Sequence, residues 1–374
     1  MALRDEFLLE PDVVFLNHGS FGACPRDVFA RYQDWQLELE RQPVEFLARR
    51  IGGLLAEARG ALAEYVNADQ DDLVFVPNAT TGINLAAWGV ALQAGDEVLA
   101  TSLEYGALDL AWEHICAHAP ATYVRMPVTV PLEDAVEEIW SGVTDRTRVL
   151  FISHITSETA IELPVAELCR RARERGITTV VDGAHVPAHI PLDLRALDVD
   201  YYTGNCHKWL CAPKGAAFLY VRREMQDAIA PLVVSWGFKD DPTFLSRHEE
   251  QGTRDPSAYL TVPYAIEWQR AHDWDRVRER CRTLTSTVPE RLGLQPLGDG
   301  LQMVSMRLPD DAPPDLKSRL YDEYAVEVPI SENGIIRVSI NGYNDDSDVD
   351  ALARALDELL PTRAGASHRE SSAP

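Results

Sequence analysis

Short apolar runs alternate with longer amphipathic stretches over most of the chain. The short runs are rich in Val, Leu, Phe and Tyr, which is typical of strands buried in a sheet, and the stretches between them have helical spacing. Strand, helix and strand repeated in this way predict an α/β fold with a mostly parallel sheet flanked by helices. The seven predicted strands are Leu73–Val76, Glu97–Thr101, Ala121–Arg125, Arg148–Ser153, Thr178–Val181, Tyr201–Gly204 and Ala217–Val221. The predicted helices are Arg26–Glu40, Val44–Val66, Thr81–Leu92, Leu108–Ala117, Pro131–Trp140 and Pro164–Arg175.

The pattern changes after about residue 257. A helical stretch rich in Trp and Arg is followed by three strand signals and a closing helix, which predicts a smaller α+β domain. Its predicted elements are the helices Tyr259–Arg282 and Asp348–Leu360 and the strands Leu301–Arg307, Val326–Pro329 and Ile335–Ile340. We therefore predict an N-terminal arm (1–16), a large domain (17–256), a small C-terminal domain (257–362) and a disordered tail (363–374).

Composition and charge narrow the class of protein. The chain has 374 residues, of which 46% are hydrophobic, and a net charge of −24. Such a charge repels a phosphate backbone, so we expect no nucleic-acid partner. The six cysteines are scattered without a CxxC pair, so we predict no metal site. The N-terminus has no apolar signal region and no stretch is long enough to span a membrane, which favours a cytoplasmic protein without a membrane partner.

Two predicted strands lead into residues that carry chemistry. Asp182 closes a Val-rich strand, and Lys208 follows the strand Tyr201–Gly204. In such a sheet, ligands bind beyond the carboxyl ends of the strands. A lysine can form a Schiff base with the aldehyde of pyridoxal 5′-phosphate (PLP), and an aspartate can hold the pyridine nitrogen protonated. The pair predicts a PLP enzyme, whereas the alternative is a solvated lysine, the usual fate of this residue type.

A further strand end offers a phosphate site. The segment Asn78-Ala79-Thr80-Thr81-Gly82 follows a predicted strand and opens a helix, whose free N–H groups attract an anion. The Thr80 hydroxyl could add a hydrogen bond, but the same sequence also suits a simple N-cap. Tyr105 follows the next strand, where its ring could stack on the pyridine or merely cover a loop.

Six short segments, in order and spacing, resemble the class V aminotransferase family of PLP enzymes. They are FLNHGSFG (15–22), NATTG (78–82), DGAH (182–185), GNCHKW (204–209), QGTRD (251–255) and IRVS (336–339). The resemblance covers roughly residues 15–340 and is strongest to the isopenicillin N epimerase-like branch. It implies fold type I, with a mostly parallel seven-stranded sheet and a smaller α+β C-terminal domain.

The resemblance implies a role for each matching cofactor residue. Lys208 is then the Schiff-base lysine and Asp182 the partner of the pyridine nitrogen. His185 and Ser157 would lie near the phenolic oxygen, and Tyr105 takes the stacking position. The phosphate would be held by Ala79, Thr80, Asn205 and His207.

The resemblance also implies a substrate site and a partner. Arg337 would bind the substrate α-carboxylate as a bidentate fork, with Asn17 and His18 nearby. Thr253 would reach the phosphate of the neighbouring subunit, which predicts a homodimer with shared active sites. The substrate would be an amino acid.

The reaction at Cα and Cβ has several possible outcomes. We favour a C–S lyase, which performs β-elimination on a cysteine-derived conjugate in small-molecule biosynthesis. An isopenicillin N epimerase-like reaction needs a second proton donor, for which His18 and His154 are the candidates. Further alternatives are an aminotransferase or decarboxylating deaminase and a PLP-fold binding protein without catalysis. A persulfide-forming desulfurase is disfavoured because Tyr321–Ile336, before Arg337, contains no cysteine.

Overall fold

The computed structural model describes residues 3–132 and 134–360, which form two compact units. The sheet unit comprises residues 27–157 and 162–270. The terminal unit comprises residues 158–161 together with the described residues up to 26 and from 271 onward. The domain boundaries predicted from the sequence stay predictions, and the predicted tail (363–374) lies outside the described residues.

Strands and helices alternate along the sheet unit and part of the terminal unit. The strands are β1 (Val14–Phe15), β2 (Leu73–Val76), β3 (Glu97–Thr101), β4 (Thr122–Met126), β5 (Thr147–Ser153), β6 (Thr178–Asp182), β7 (Tyr201–Asn205), β8 (Ala217–Val221), β9 (Met303–Arg307), β10 (Val326–Glu327) and β11 (Ile335–Ser339). The α-helices are α1 (His18–Phe21), α2 (Arg26–Arg41), α3 (Ile51–Tyr65), α4 (Ala79–Gly89), α5 (Gly106–His118), α6 (Ala135–Trp140), α7 (Val165–Glu174), α8 (Leu194–Leu197), α9 (Phe244–Glu249), α10 (Ser257–Leu260), α11 (Val262–Ala271), α12 (Trp274–Leu292), α13 (Leu316–Tyr324) and α14 (Asp346–Leu359). None of these described helices combines the length and apolar character that crossing a membrane requires.

The sheet unit is built on seven strands in the order β2-β8-β7-β6-β5-β3-β4. Strands β7, β6, β5, β3 and β4 pair in parallel, and β8 is antiparallel to both of its neighbours, β7 and β2. The inner strands are buried along nearly their whole length, which explains their continuous apolar sequences. The predicted mostly parallel seven-stranded α/β sheet is confirmed.

The terminal unit is an α+β structure with its own core. Strands β9 and β11 pair antiparallel, and β1 pairs in parallel with β10. Leu16 packs into the same buried cluster as Ile336 and Val338 of β11 and Leu352 of α14. The N-terminal segment is therefore part of this core through β1 and Leu16.

One predicted helix is wrong in its extent. The stretch Tyr259–Arg282 is divided among α10, α11 and α12. The break before α12 falls at Asp273, whose φ of +48° lies in the left-handed region and interrupts helical hydrogen bonding. The sequence shows neither Gly nor Pro at this point, so no ordinary breaker signal marks it.

Candidate active site

Lys208 and His185 meet beyond neighbouring strands of the sheet unit. Lys208 follows β7, His185 follows β6, and these two strands run parallel. The Lys208 Nζ lies 3.1 Å from the His185 Nε2, within hydrogen-bonding distance. The structure thus brings two of the predicted catalytic side chains into contact at the edge of the sheet where ligands bind.

Asp182 is the last residue of β6, and its carboxylate is buried. Its Oδ1 accepts a hydrogen bond from the Ala184 N–H at 2.9 Å. Burial raises the pKa of this carboxyl, while the hydrogen bond from the Ala184 N–H acts in the opposite direction. Within the described residues no second hydrogen bond reaches this carboxylate, so a protonated pyridine nitrogen fits as its partner.

The N-terminus of α4 lies beside the end of β7. Asn78 is a true N-cap, because its Oδ1 accepts a hydrogen bond from the Thr81 N–H at 2.8 Å. The Ala79 N–H donates to the Asn205 Oδ1 at 2.9 Å. Among the described residues the Thr80 N–H has no hydrogen-bond partner, so it is the donor at this helix end that suits a phosphate oxygen.

His207 is buried in the turn after β7. Its Nδ1 lies 2.9 Å from the Ala216 carbonyl oxygen and carries the proton, because a carbonyl can only accept. Burial lowers the pKa of this imidazole to about 4. In the neutral ring Nε2 is then an acceptor, so the predicted contact with a phosphate requires the ring to be protonated.

Tyr105 and the preceding Glu104 have opposite environments. Tyr105 is 46% exposed, which leaves its ring accessible for stacking, whereas Glu104 is buried. The Glu104 carboxylate accepts hydrogen bonds from the Thr101 hydroxyl at 2.6 Å and from the Ser153 N–H and hydroxyl at 2.7 and 2.6 Å. Burial raises its pKa to about 7 against these hydrogen bonds, and the nearby Asp182 adds to the increase. Glu104 thereby ties the loop that carries Tyr105 to the end of β5.

The two remaining predicted cofactor residues lie on loops. Ser157 is half-buried in the segment that follows β5. Thr253 is exposed beside Gly252, whose φ is +106°. Thr253 makes no hydrogen bond within the described chain, and its contact with a neighbouring subunit stays a prediction.

Arg337 belongs to the terminal unit, in the middle of β11, and is buried. Its Nη2 donates to the Ser20 hydroxyl at 2.9 Å, and that hydroxyl donates to the Asn17 Oδ1 at 2.5 Å. The Asn17 Nδ2 in turn donates to the Glu327 Oε1 at 2.9 Å. This chain of hydrogen bonds joins two of the predicted substrate residues, Arg337 and Asn17, in one polar cluster.

A cleft of about 370 Å³ opens beside Asn17 in the same unit. Its lining consists of Leu9, Glu10, Val13, Phe15, Asn17, Phe21, Tyr321 and Glu327. Most of these side chains are apolar, and Phe21 is largely exposed. The cleft therefore suits an apolar group.

The two histidines considered as second proton donors are both buried. In the terminal unit the His18 Nδ1 lies 3.0 Å from the Tyr343 hydroxyl. In the sheet unit the His154 Nδ1 lies 3.0 Å from the Tyr202 hydroxyl, and burial lowers the pKa of His154 to about 4. Both rings are held by tyrosines, and His154 is neutral at physiological pH, which makes it a poor proton donor.

All six cysteines are free thiols, and all except the half-buried Cys24 are buried. Burial raises the pKa of Cys116 and of Cys281 to about 11. The thiolate is the nucleophilic form of cysteine, so these thiols are inert at neutral pH.

The family model for aminotransferase class-V matches residues 23–301 of the chain. The chain belongs to the class V aminotransferase family. The predicted family, and the prediction that the protein is an enzyme, are confirmed by this match, which covers well over half of the chain.

Similar proteins support the same assignment. The chain is 38% identical to the isopenicillin N epimerase of Amycolatopsis lactamdurans, over 95% of this chain and 97% of that one. It is 28% identical to an L-cysteine desulfhydrase of Arabidopsis thaliana, over 93% of this chain and 88% of that one. A solved structure of C-DES, in which glycine is covalently linked to the PLP cofactor, has a TM-score of 0.85 at 24% identity and covers 96% of this chain and 100% of that one. The predicted fold type I is confirmed by this likeness.

Three side chains that support the candidate site of this class V enzyme have no role in the predictions from sequence. Glu104 and Ser153 anchor the loop that carries Tyr105, and Trp209 donates its indole N–H to the His185 Nδ1 at 3.3 Å. Each has a signal in hindsight, because Glu104 directly precedes Tyr105 and Trp209 directly follows the predicted catalytic lysine. Neither signal specifies a contact, since both contacts join segments far apart in sequence.

Proposed function

We propose that this class V enzyme is a C–S lyase that acts by β-elimination on a cysteine-derived conjugate. A conjugate R–S–CH2–CH(NH3+)–COO− and one water would give the thiol R–SH, pyruvate and ammonium. The observation that carries the proposal is the burial of His18 and His154, each bonded to a tyrosine hydroxyl. A lyase needs one base at Cα, and Lys208 supplies it without a second proton donor.

The cofactor is PLP, as the family requires, and the residues after β6 and β7 fit it. The Lys208 amine suits the aldehyde, the buried Asp182 carboxylate suits the ring nitrogen, and the Thr80 N–H suits a phosphate oxygen. Bound PLP supplies an acceptor for the electron pair that is left when a bond to Cα breaks.

Lys208 is the residue that moves the proton. Its Nζ takes the Cα proton, and His185, 3.1 Å away, orients that amine. The leaving sulfur needs little help from an acid, because a thiol has an ordinary pKa of about 8.5 and departs readily as a thiolate. One lysine with one orienting histidine is therefore sufficient for the elimination.

The terminal unit supports an amino-acid substrate with a substituent on sulfur. Arg337 offers a fork for the α-carboxylate, and its hydrogen-bond chain through Ser20 holds Asn17 in place. The cleft of about 370 Å³ beside Asn17 is large enough for an apolar S-substituent. Free cysteine would leave such a cleft unfilled, so a conjugate is the better fit.

Amino-acid epimerisation is the second candidate, and the 38% identity to an isopenicillin N epimerase favours it. An epimerase must return the proton to the opposite face of Cα, so it needs a donor other than Lys208. A desulfurase is disfavoured because five of the six cysteines are buried and Tyr321–Ile336, before Arg337, contains none. The assembly that we propose is a homodimer with shared sites, in which the exposed Thr253 is accessible to a neighbouring subunit.

Product analysis separates these reactions in one experiment. The PLP-loaded enzyme is incubated in D2O with a panel of L-cysteine S-conjugates and with ordinary L-amino acids. A lyase releases thiol and pyruvate in equal amounts from the conjugates. An epimerase releases neither, and instead gives the D-amino acid with deuterium at Cα.

Two lysine variants control the assay. Lys208→Ala is expected to abolish thiol release, whereas Lys317→Ala, on the exposed face of α13, is expected to retain it. Deuterated D-product without thiol would replace the lyase proposal with the epimerase. A keto acid formed only with a second keto acid present would identify an aminotransferase.

A further inference from the structure

Trp209 is a hydrogen-bond partner of His185, the histidine that contacts Lys208. Its indole Nε1 lies 3.3 Å from the His185 Nδ1, and the other ring nitrogen of His185 lies 3.1 Å from the Lys208 Nζ. The three side chains therefore form a continuous hydrogen-bonded row from a fully buried indole to a partly buried amine.

The indole decides where the His185 proton is. An indole N–H can only donate, so the His185 Nδ1 must accept and is unprotonated. A neutral imidazole carries one N–H, which in this ring is then on Nε2. The tautomer of His185 follows from the chemistry of its neighbour rather than from the position of any hydrogen atom.

The same constraint extends to the lysine. An ammonium group has no lone pair and cannot accept a hydrogen bond, so a His185 Nε2–H at 3.1 Å matches an uncharged amine. The uncharged amine is the form of lysine that attacks a carbonyl. A proton on the His185 Nδ1 would instead turn the Nε2 lone pair toward Lys208 and match the ammonium form.

Trp209 is itself held by contacts to its ring and to its backbone. Its ring stacks on His189, with the ring centroids 4.0 Å apart and the planes at 27°. The His189 Nδ1 lies 3.0 Å from the His185 carbonyl oxygen, and the Gln269 Nε2 donates to the Trp209 carbonyl oxygen at 2.8 Å. The indole therefore cannot swing away from His185 without losing its stacking on His189.

From this geometry we infer that Trp209 is a positioning residue, which fixes His185 with its proton on Nε2 and so holds the Lys208 amine in the uncharged form that captures the cofactor aldehyde. The inference rests on the PLP site proposed above and is independent of the choice between lyase and epimerase. Trp209 would thus affect cofactor attachment through His185 and not through contact with the cofactor.

The tautomer can be measured directly in the protein without cofactor. Nitrogen-15 NMR of histidine-labelled protein distinguishes a protonated from an unprotonated ring nitrogen, and a His185→Gln variant identifies the His185 signals. We expect an unprotonated Nδ1 and a protonated Nε2 in the wild type. In Trp209→Phe we expect a mixture of tautomers.

The rate of covalent PLP attachment, followed by absorbance, gives a second readout that does not depend on turnover. We expect Trp209→Phe to slow attachment about tenfold, which is the lower end of the effect seen when the hydrogen-bond partner of a metal-ligating histidine is removed. Trp112→Phe is the matched control, because Trp112 is also fully buried in the sheet unit but its Nε1 has no hydrogen-bond partner within the described residues.

A sulfur isostere of tryptophan at position 209, in which sulfur replaces the indole N–H, keeps the ring and removes only the donor. It serves if Trp209→Phe fails to fold, and it should reproduce both the mixed tautomers and the slower attachment. A wild-type His185 with a protonated Nδ1 would overturn the inference. Attachment at the wild-type rate in the isostere would also overturn it, while leaving the proposed reaction untouched.

Discussion

Each unit of the molecule brings a helix close to a strand through a glycine, but the two contacts differ in stiffness. In the sheet unit, a Cβ on Gly82 of α4 would lie 2.5 Å from the Thr203 Oγ1 and 3.1 Å from its Cβ. In the terminal unit, a Cβ on Gly19 of α1 would lie 2.9 Å from the Ser339 Oγ. Thr203 is β-branched and its hydroxyl donates to the Phe218 carbonyl, whereas the Ser339 side chain is unbranched and can change rotamer.

From this difference we expect less freedom at the residues proposed to hold the cofactor than at those proposed to bind the substrate. Gly82 lies in the first turn of α4, two residues after Thr80, so its contact with β7 fixes the helix end proposed to hold the phosphate. Gly19 precedes Ser20, whose hydroxyl accepts a hydrogen bond from Arg337, so its contact affects a side chain that is proposed to bind the substrate. A group held for the life of the protein can be bound by a rigid frame, whereas a passing substrate needs some tolerance.

Loss of Lys208 should have the largest effect, because it should abolish turnover without abolishing cofactor binding. In Lys208→Ala we expect turnover to fall by at least about 10³-fold, because both the covalent link and the base at Cα are removed. Isothermal titration should still detect cofactor bound without the covalent link. Normal turnover in this variant would show that the wrong lysine has been assigned.

Gly82→Ala, which fills the contact between α4 and Thr203, should have the second-largest effect. We expect Gly82→Ala to lower the free energy of unfolding by about 2–3 kcal/mol, because α4 must move away from Thr203. Urea unfolding and PLP titration should show weaker cofactor binding in parallel. Gly53→Ala is the control, since a Cβ there meets nothing within 4 Å and should not destabilise α3.

Glu104 makes the sheet unit sensitive to pH. Its pKa is raised to about 7 by burial, so the folded protein keeps a proton that the unfolded chain releases at lower pH. The stability from this group is complete below the ordinary glutamate pKa of about 4.5 and is lost as pH rises from there through the folded pKa of about 7. Urea unfolding should show wild type losing about 2 kcal/mol more than Glu104→Gln between pH 5 and pH 8.

Glu279→Gln, an exposed change of the same kind on α12, serves as the control for Glu104→Gln. Its pH profile should follow that of the wild type. Parallel profiles for wild type and Glu104→Gln would mean that Glu104 does not hold this proton.

Arg337→Lys tests only the proposed binding of the substrate carboxylate. We expect kcat/KM to fall about tenfold, because a lysine cannot form the bidentate fork and one charge-assisted hydrogen bond is lost. Cofactor affinity should not change, since Arg337 is not among the residues proposed to hold the cofactor. Arg307→Lys, on the exposed end of β9, should leave kcat/KM as it is.

Gly19→Ala, which fills the contact between α1 and Ser339, should have the smallest effect. We expect Gly19→Ala to cost less than about 1 kcal/mol of unfolding free energy, because the Ser339 hydroxyl can rotate out of the way. Steady-state kinetics should show a rise in KM with little change in kcat. A larger loss of stability than in Gly82→Ala would reverse the comparison between the two units.

The fold was largely predictable because its strands are buried apolar runs with clear ends. Strands β2, β3 and β8 have the predicted bounds, and the others of the large sheet shift by about a residue. The elements that were missed lack such signals. Strand β1 has only two residues, and its pairing with β10 depends on the terminal-unit core rather than on local sequence. Helix α13, which was not predicted, follows a segment rich in Asp and Pro.

The candidate site was predictable at strand ends and much less so beyond them. Lys208 and His185 meet because parallel neighbouring strands end at the same edge of the sheet. The contact between Trp209 and His185 depends on the shape of the turn after β7, where Cys211 adopts a φ of +60° without being a glycine. That turn is determined by tertiary packing, so the order of residues alone does not specify it.

The antiparallel strand β8 has a consequence for how the protein is made. It lies between β7 and β2, so the segment before α4 joins the sheet only when Val76 pairs with Ala217, 141 positions later (217 − 76). At about 5–20 residues per second, a ribosome needs roughly 7–30 s to synthesise that interval. During this time the nascent chain presents β2 as an unpaired apolar strand. The sheet, and with it the end of α4 that is proposed to hold the phosphate, can therefore be completed only after β8 has been synthesised.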